Sequence, residues 1–333
     1  MSALAAEVLQ PCADDIEDIL NLLGRVWPQL YGATGCPAFS AGYLKWLYSG
    51  PDAEKNHLLG FRDESGELIA FKAALFRSIR ISGEIRSAWL TSHLAIAPEL
   101  PFARRMEVSA ALSRLHGLDS DEKHVNIAYF EADKPIARNA RRLAVKAGLE
   151  VAEQEFAQHI VNLRKLRAFD AGTDDIQIAE LTQNDCPDLV ALMGNHSSDH
   201  GPIWSPTAEG LGHHLLNAPE NFAITARDKN GVIIGAAGCY VLEYLRDDQV
   251  SRMFICETLI ADDPAVANQL MRTAHAHATE LGLRGIVVEN ATHLNADIHA
   301  ACGLLKTPRR MIFAMRGRSL PDVSPTMFGL DIK

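Results

Sequence analysis

The chain has 333 residues, of which 47% are hydrophobic and 22% charged, a composition that suits a globular protein long enough for two cores rather than one. Its 42 acidic against 32 basic residues give a formal charge of −10, which offers no cationic footprint for nucleic acid or an anionic membrane. Six scattered cysteines lack Cys-x-x-Cys or other metal-ligand spacing and read as reduced thiols; the start MSALAAEVLQ lacks a signal-peptide layout, and no apolar stretch could span a bilayer, so a cytoplasmic location is expected.

In chain order, EVLQPC predicts a short strand. ADDIEDILNLLGRVWP follows with apolar residues at helical spacing (Ile16, Ile19, Leu20, Leu22, Leu23 and Val26), and a second helix is expected near 41–48. Strands at 57–62 and 67–77 flank an Asp-Glu-Ser-Gly turn, and SAWLTSHLAIA at 87–97 reads as a buried strand. FARRMEVSAALSRLHGL is helical, VNIAYFEA a strand, IARNARRLAVKAGL a helix stopped by Gly148, and EFAQHIVNL a closing strand. The second half repeats the order: strand IQIAEL, helix CPDLVALMGNH, strands FAITARD, VIIGAAGCYVLEYL and SRMFICETLIA, helix PAVANQLMRTAHAHATEL, strand RGIVVEN, helix ADIHAACGL, strand RRMIFAM.

The halves also match residue for residue at one place. NHLLGFRDESGELIAF at 56–71 returns 165 positions later as NFAITARDKNGVIIGA at 221–236, with Asn56/Asn221, Arg62/Arg227, Asp63/Asp228 and Gly66/Gly231 in register. One fold used twice is expected, as units at 1–166 and 176–317, with the polar RAFDAGTDD at 167–175 as linker and 318–333 as a tail.

The element order, the Asp-x-x-Gly hairpin and two short stretches, LAIAPE at 94–99 and ARRLAVKAGLE at 140–150, resemble the GNAT-type, acyl-CoA-dependent N-acyltransferase superfamily in tandem. The resemblance implies an α/β (α+β) architecture: two GNAT-like domains, each a mostly antiparallel mixed sheet flanked by helices, with a splay between strands 4 and 5. The pantetheine arm of acyl-CoA would lie there on free backbone groups of Leu94, Ala95 and Ile96.

In that superfamily a glycine-rich loop after strand 4 cradles the pyrophosphate at a helix N-terminus. Neither half keeps the glycines. The first half reads Glu99-Leu100-Pro101-Phe102-Ala103-Arg104-Arg105, where Arg104 and Arg105 are either phosphate ligands or solvated charges. The second reads Ala261-Asp262-Asp263-Pro264, whose carboxylates would repel a phosphate. The first half is therefore expected to bind the donor, and the second to be degenerate or to face the substrate.

Acyl transfer to an amine needs a group to take the ammonium proton. Aligning SHLAIAP with CETLIAD puts His93 opposite Glu257, either of which could be a base or a satisfied residue of the sheet. At the superfamily's tyrosine position the first half has Ala144 and the second His299, a candidate acid or a structural residue. Trp27 and Tyr31 in one copy, and His196, His200 and Trp204 in the other, lie on the loop that lines the acceptor pocket in the superfamily, and are contacts or packing residues. The HSSDH stretch at 196–200 reads as a loop rather than a metal site, and no metal is expected.

The expected function is transfer of acetyl or another short acyl group from acyl-CoA to the amine of a small molecule. The alternatives are a non-catalytic binding or regulatory descendant of the fold and an acyltransferase fed by a carrier-protein thioester. The acceptor, chain length and oligomeric state stay open, a homodimer being the assembly considered.

Overall fold

The computed structural model describes residues 7–31, 35–114, 124–132, 134–169, 175–195, 203–246, 249–289, 291 and 293–320. The first copy runs β1 (Glu7–Val8), α1 (Ala13–Tyr31), β2 (Cys36–Ala38), α2 (Ala41–Tyr48), β3 (His57–Arg62), β4 (Leu68–Ile81), β5 (Glu84–Ile96), α3 (Phe102–Arg114), β6 (Val125–Glu131), α4 (Pro135–Lys146) and β7 (Glu150–Val161). A short helix α5 (Leu163–Ala168) follows, so the stretch expected as linker begins inside a helix, capped by Asn162, which accepts from Lys165 N at 3.1 Å. Residues 170–174 of that stretch, and the tail beyond Leu320, lie outside the described residues.

The second copy runs β8 (Gln177–Glu180), α6 (Cys186–Asn195), β9 (Ile203–Trp204), α7 (Ala208–Leu216), β10 (Phe222–Arg227), β11 (Ile233–Arg246), β12 (Gln249–Ala261), α8 (Pro264–Glu280), β13 (Ile286–Val288), α9 (Ala296–Ala301) and β14 (Leu304–Gly317). No described helix is long and apolar enough to cross a membrane.

The repeated residues do the same work twice. Asp63 Oδ1 accepts from Ser65 N and Glu67 N at 2.9 and 3.0 Å, as Asp228 Oδ1 accepts from Asn230 N and Val232 N, both at 2.9 Å. These Asx contacts close hairpins whose sharpest position needs φ near +88° and +81°, met by Gly66 and Gly231. Arg62 and Arg227 each donate to the carbonyl of that glycine at 3.0 Å. Asn56 and Asn221 donate to carbonyls near the ends of α2 and α7, Tyr48 O at 3.2 Å and Leu215 O at 3.0 Å.

The strands form one sheet in the order β1-β3-β4-β5-β6-β14-β7-β13-β12-β11-β10-β8. Each copy's last strand is handed to the other: β14 lies antiparallel between β6 and β7, and β7 in turn pairs with β13. The loops after the first helices are exchanged too, β2 pairing with β11 and β9 with β4. An apolar core therefore runs across both copies, from Ile19 and Tyr43 through Phe71 to Tyr240 and Phe313, and a second lies beneath α8. The architecture is the α/β mixed sheet in two repeats that the sequence led us to expect.

Candidate active site

Strands β5 and β6 run parallel and pair only from Ala88↔Val125 to Thr91↔Ala128, although β5 continues to Ile96 and β6 to Glu131. Beyond Thr91 the two diverge. The cause on the β5 side is a bulge: the β4 register slips between Ala73↔Ser92 and Phe71↔Ala95. His93 sits in the bulge with φ +52°, a left-handed conformation uncommon for a residue bearing a Cβ and of the kind that recurs at functional sites. The Leu94 carbonyl leaves the β4 ladder and accepts from Trp27 Nε1 at 3.2 Å.

His93 is buried, with Tyr48 Oη and Ser92 Oγ each 3.0 Å from Nδ1. It is packed among aromatic rings, with Trp27 stacked at 5.8 Å and Phe39 edge-on at 4.7 Å. Thr91 to Leu94 on one side and Tyr129 to Glu131 on the other open into a cavity of about 860 Å³, counting its open mouth. Trp27, Tyr31 and Phe39 form one wall. The exchanged elements close the other: Arg309 and Met311 of β14, Gln158 of β7, Tyr244 of β11 and Glu289 just past β13. Both copies thus build one chamber.

Its polar floor is buried. Arg309 Nε meets Glu131 Oε1 at 2.7 Å, and Lys134 Nζ stands 3.7 Å from the other oxygen. Glu289 accepts from Gln158 Nε2 at 3.1 Å and Tyr244 OH at 3.2 Å, both on Oε1. Burial pushes the Glu289 carboxyl up from its ordinary range, against the opposing pull of Arg309 and the two hydrogen bonds. Burial likewise raises the Tyr31 phenol, with the Glu131 charge acting the same way.

The second copy has the same bulge, with Glu257 as the extra residue between Gly238↔Thr258 and Cys239↔Cys256, so His93 and Glu257 are structural equivalents. Its space is filled differently. Glu257 is buried, and its Oε2 lies 2.9 Å from Nε2 of His214 of α7. His293 donates through Nε2 to Leu259 O of β12 at 3.0 Å, as Trp27 donates to Leu94 O of β5 in the first copy. His299 donates to Ala291 O at 2.8 Å and packs edge-on to His159 at 5.0 Å, away from the cavity lining.

The helix ends differ in the sense of the sequence. Asp263 caps α8 by accepting from Ala265 N at 2.6 Å and Val266 N at 3.3 Å, so a carboxylate already holds that anion site. At α3 no carboxylate lies in the first turn. Arg104 there is drawn to Glu107 at 2.7 Å, while Arg105 is exposed and has no ion pair among the described residues.

Of the residues singled out from sequence, His93, Leu94, Trp27 and Tyr31 come together at the cavity. Ala95 is buried in the sheet and Ile96 packs on the core. Trp204 lies against His214 at 4.9 Å and lines a separate pocket between α2, α7 and β4. His196 and His200 lie outside the described residues. No group of three or more metal-binding side chains occurs among the described residues. Sequence reasoning passed over Glu131, Gln158, Tyr244, Glu289 and Arg309. A signal was there for two: the fifth strands, YFE and VVE, both close on a glutamate, at the strand ends where parallel sheets place their ligands.

At the level of sequence alone, no family model and no curated protein matches the chain. Among solved structures, Saccharomyces cerevisiae N-myristoyltransferase with bound myristoyl-CoA and inhibitors superposes over 99% of this chain and 83% of its own, with a TM-score of 0.71 at 13% identity. A second structure of that enzyme with myristoyl-CoA gives 0.69 at 14% identity, over 99% of this chain and 86% of its own. The bulge repeated in each half and the splayed strand pair of the first, together with these superpositions, establish that the chain has the tandem GNAT-type fold.

Proposed function

We propose that the chain is an acyl-CoA-dependent N-acyltransferase whose first copy binds the donor and whose intercopy cavity receives an acceptor amine. The observation that carries this reading is the ladder between β5 and β6, which ends at Thr91–Ala128 while both strands continue, leaving a notch open to a cavity lined by His93. A thioester arm laid in that notch would meet β5 backbone groups near Leu94 to Ile96, able to polarise the carbonyl, with His93 on the same strand as the proton-transfer group. The superposed N-myristoyltransferase holds its myristoyl-CoA on this fold, which supports an acyl-CoA donor. In the second copy, Asp263 on the α8 end argues against a second donor site.

Thermal denaturation with acetyl-CoA and with a longer acyl-CoA tests the proposal. A donor at 100 times its dissociation constant adds about 2.7 kcal/mol of stability. Transfer to amines, read as released thiol, then follows, and His93→Ala lowers it at unchanged donor affinity. If no acyl-CoA raises the melting temperature, the coenzyme-dependent reading fails. One feature favours a second reading: α3 is preceded by Pro101 and has no glycine cradle, as expected if a carrier protein rather than coenzyme A presents the thioester. Transfer from a loaded carrier, with free acyl-CoA inert, would select it.

A further inference from the structure

Resting on the acyl-transfer reading, we infer that Glu289 is the anchor for the acceptor, holding a primary ammonium attached to an apolar, aromatic-sized body and taking its first proton. Three observations carry this. Glu289 is only 7% exposed, yet lines the cavity. Both of its donors, Gln158 Nε2 and Tyr244 OH, land on Oε1, and Oε2 has no hydrogen bond among the described residues. The neighbouring carboxylate of Glu131 has the Arg309 guanidinium at 2.7 Å as its counter-charge, whereas Glu289 has no basic side-chain nitrogen within 4.0 Å among the described residues.

Oε2 is accessible from the cavity, so an entering cation can complete the carboxylate there. The cavity walls say what the cation is attached to. Tyr244 donates to the carboxylate, and Trp27, Phe39 and Tyr129 line the same cavity, so the space reached from Glu289 suits an arylalkyl ammonium better than a polyamine or a sugar amine. The upward shift of the Glu289 carboxyl brings it nearer the range where a carboxylate accepts a proton effectively at neutral pH.

The chemistry balances. The ammonium gives one proton to Glu289 and becomes a nucleophile. Its nitrogen bonds to the thioester carbonyl carbon as the carbon–sulfur bond breaks, and the second nitrogen proton passes through His93 to the departing thiolate. The products are the amide, free thiol and one proton, which leaves Glu289 for solvent.

The test is calorimetric binding of phenethylamine and of its neutral counterpart 2-phenylethanol to the full chain, wild type and Glu289→Gln, each also titrated with acetyl-CoA. Glutamine keeps an oxygen for Gln158 and Tyr244, so the variant retains the local hydrogen bonds. The expected result is at least tenfold tighter binding of the amine than the alcohol by wild type, loss of that preference in Glu289→Gln, its partial return in Glu289→Asp, and an unchanged acetyl-CoA response. Equal amine affinity in wild type and Glu289→Gln overturns the inference, as does a wild type without preference for the amine. A wild type that prefers the amine but ignores every acyl-CoA sinks the acyl-transfer reading instead, leaving a cation site.

Discussion

Tyr48 Oη lies 3.0 Å from Nδ1 of His93, joining the end of α2 to the bulge of β5, and the second copy repeats the link with different chemistry as His214 of α7 to Glu257 at 2.9 Å. In each copy a residue of the second helix pins the extra residue of the bulge. The duplicated geometry has been kept while a hydroxyl–imidazole pair in one half became an imidazole–carboxylate pair in the other. Of these four residues, only His93 lines the cavity between the copies.

Removing the Tyr48 hydroxyl takes one hydrogen-bonding group from a buried imidazole nitrogen. Tyr48→Phe is expected to cost about 1 to 3 kcal/mol, seen as a lower urea midpoint at unchanged m-value. If His93 carries protons, the same variant also moves the pH profile of transfer, whereas a packing role alone would leave that profile in place.

The His214–Glu257 pair is structural on the proposed reading. His214→Ala leaves a buried carboxylate without its imidazole and costs about 3 kcal/mol or more. Glu257→Gln keeps the hydrogen bond without the charge, so acyl transfer by this variant should stay within about twofold of wild type. A loss of transfer of a hundredfold or more would return the second copy to the catalytic machinery.

These contrasts mark what the sequence could carry. The hairpin Asp63/Gly66, its twin Asp228/Gly231 and the arginines behind them were legible because their contacts are local and the turn demands those residue types. The equivalence of His93 and Glu257 was legible because the repeat aligned them. The strand exchange was not: the alternation in EFAQHIVNL and RRMIFAM shows that a strand has a buried face but not which neighbour it joins. Strands β2 and β9, three and two residues long, are too short for any period to declare itself. Glu289 escaped notice because its role depends on β7, β11 and β14 converging on it from far along the chain.

Lys72 sets a pH signature. It is buried on β4 with Nζ donating to Leu112 O at 2.6 Å, and burial, aided by the Arg316 charge, pushes its ammonium down to about 7 from 10.5. Between those values the unfolded chain holds the proton that the folded chain has lost, so stability rises with pH across the window, and the penalty is fully present below it. The gain is at most about 5 kcal/mol between pH 7 and 10.5. Lys72→Met is expected to flatten the profile, measured by urea unfolding at several pH values; an unchanged slope would show that Lys72 keeps an ordinary affinity for its proton.

The two arginines of α3 separate cleanly. Arg104 is committed to Glu107 at 2.7 Å, and Arg105 is exposed at the same helix end. Arg105→Glu is expected to weaken acetyl-CoA binding about tenfold at low salt, with much of the effect lost at 1 M where screening reaches about 3 Å. Arg104→Ala should change it less than threefold. Equal affinities for both variants and wild type would place the donor's phosphates elsewhere.

Strand exchange makes a prediction about autonomy. In the intact chain β14 fills the place between β6 and β7 through two antiparallel ladders, Met311↔Glu131 to Gly317↔Val125 on one side and Leu304↔Val161 to Gly317↔Glu150 on the other. A fragment of residues 1–168 lacks that strand. Strand β6 then loses an entire neighbour, β7 loses both β14 and β13, and the exposed backbone groups are a template for association. The fragment also gives up Tyr240 and Phe313 from the shared core. It is therefore expected to be a self-associating or partly folded species by size-exclusion chromatography and near-ultraviolet circular dichroism. Adding a peptide of residues 303–320 should shift it toward a monomer, since the missing strand can be supplied in trans. A fragment that is monomeric and cooperatively folded without the peptide would show that β7 can close the first copy unaided, and that the exchange adds the cavity wall carrying Arg309 without being required for folding.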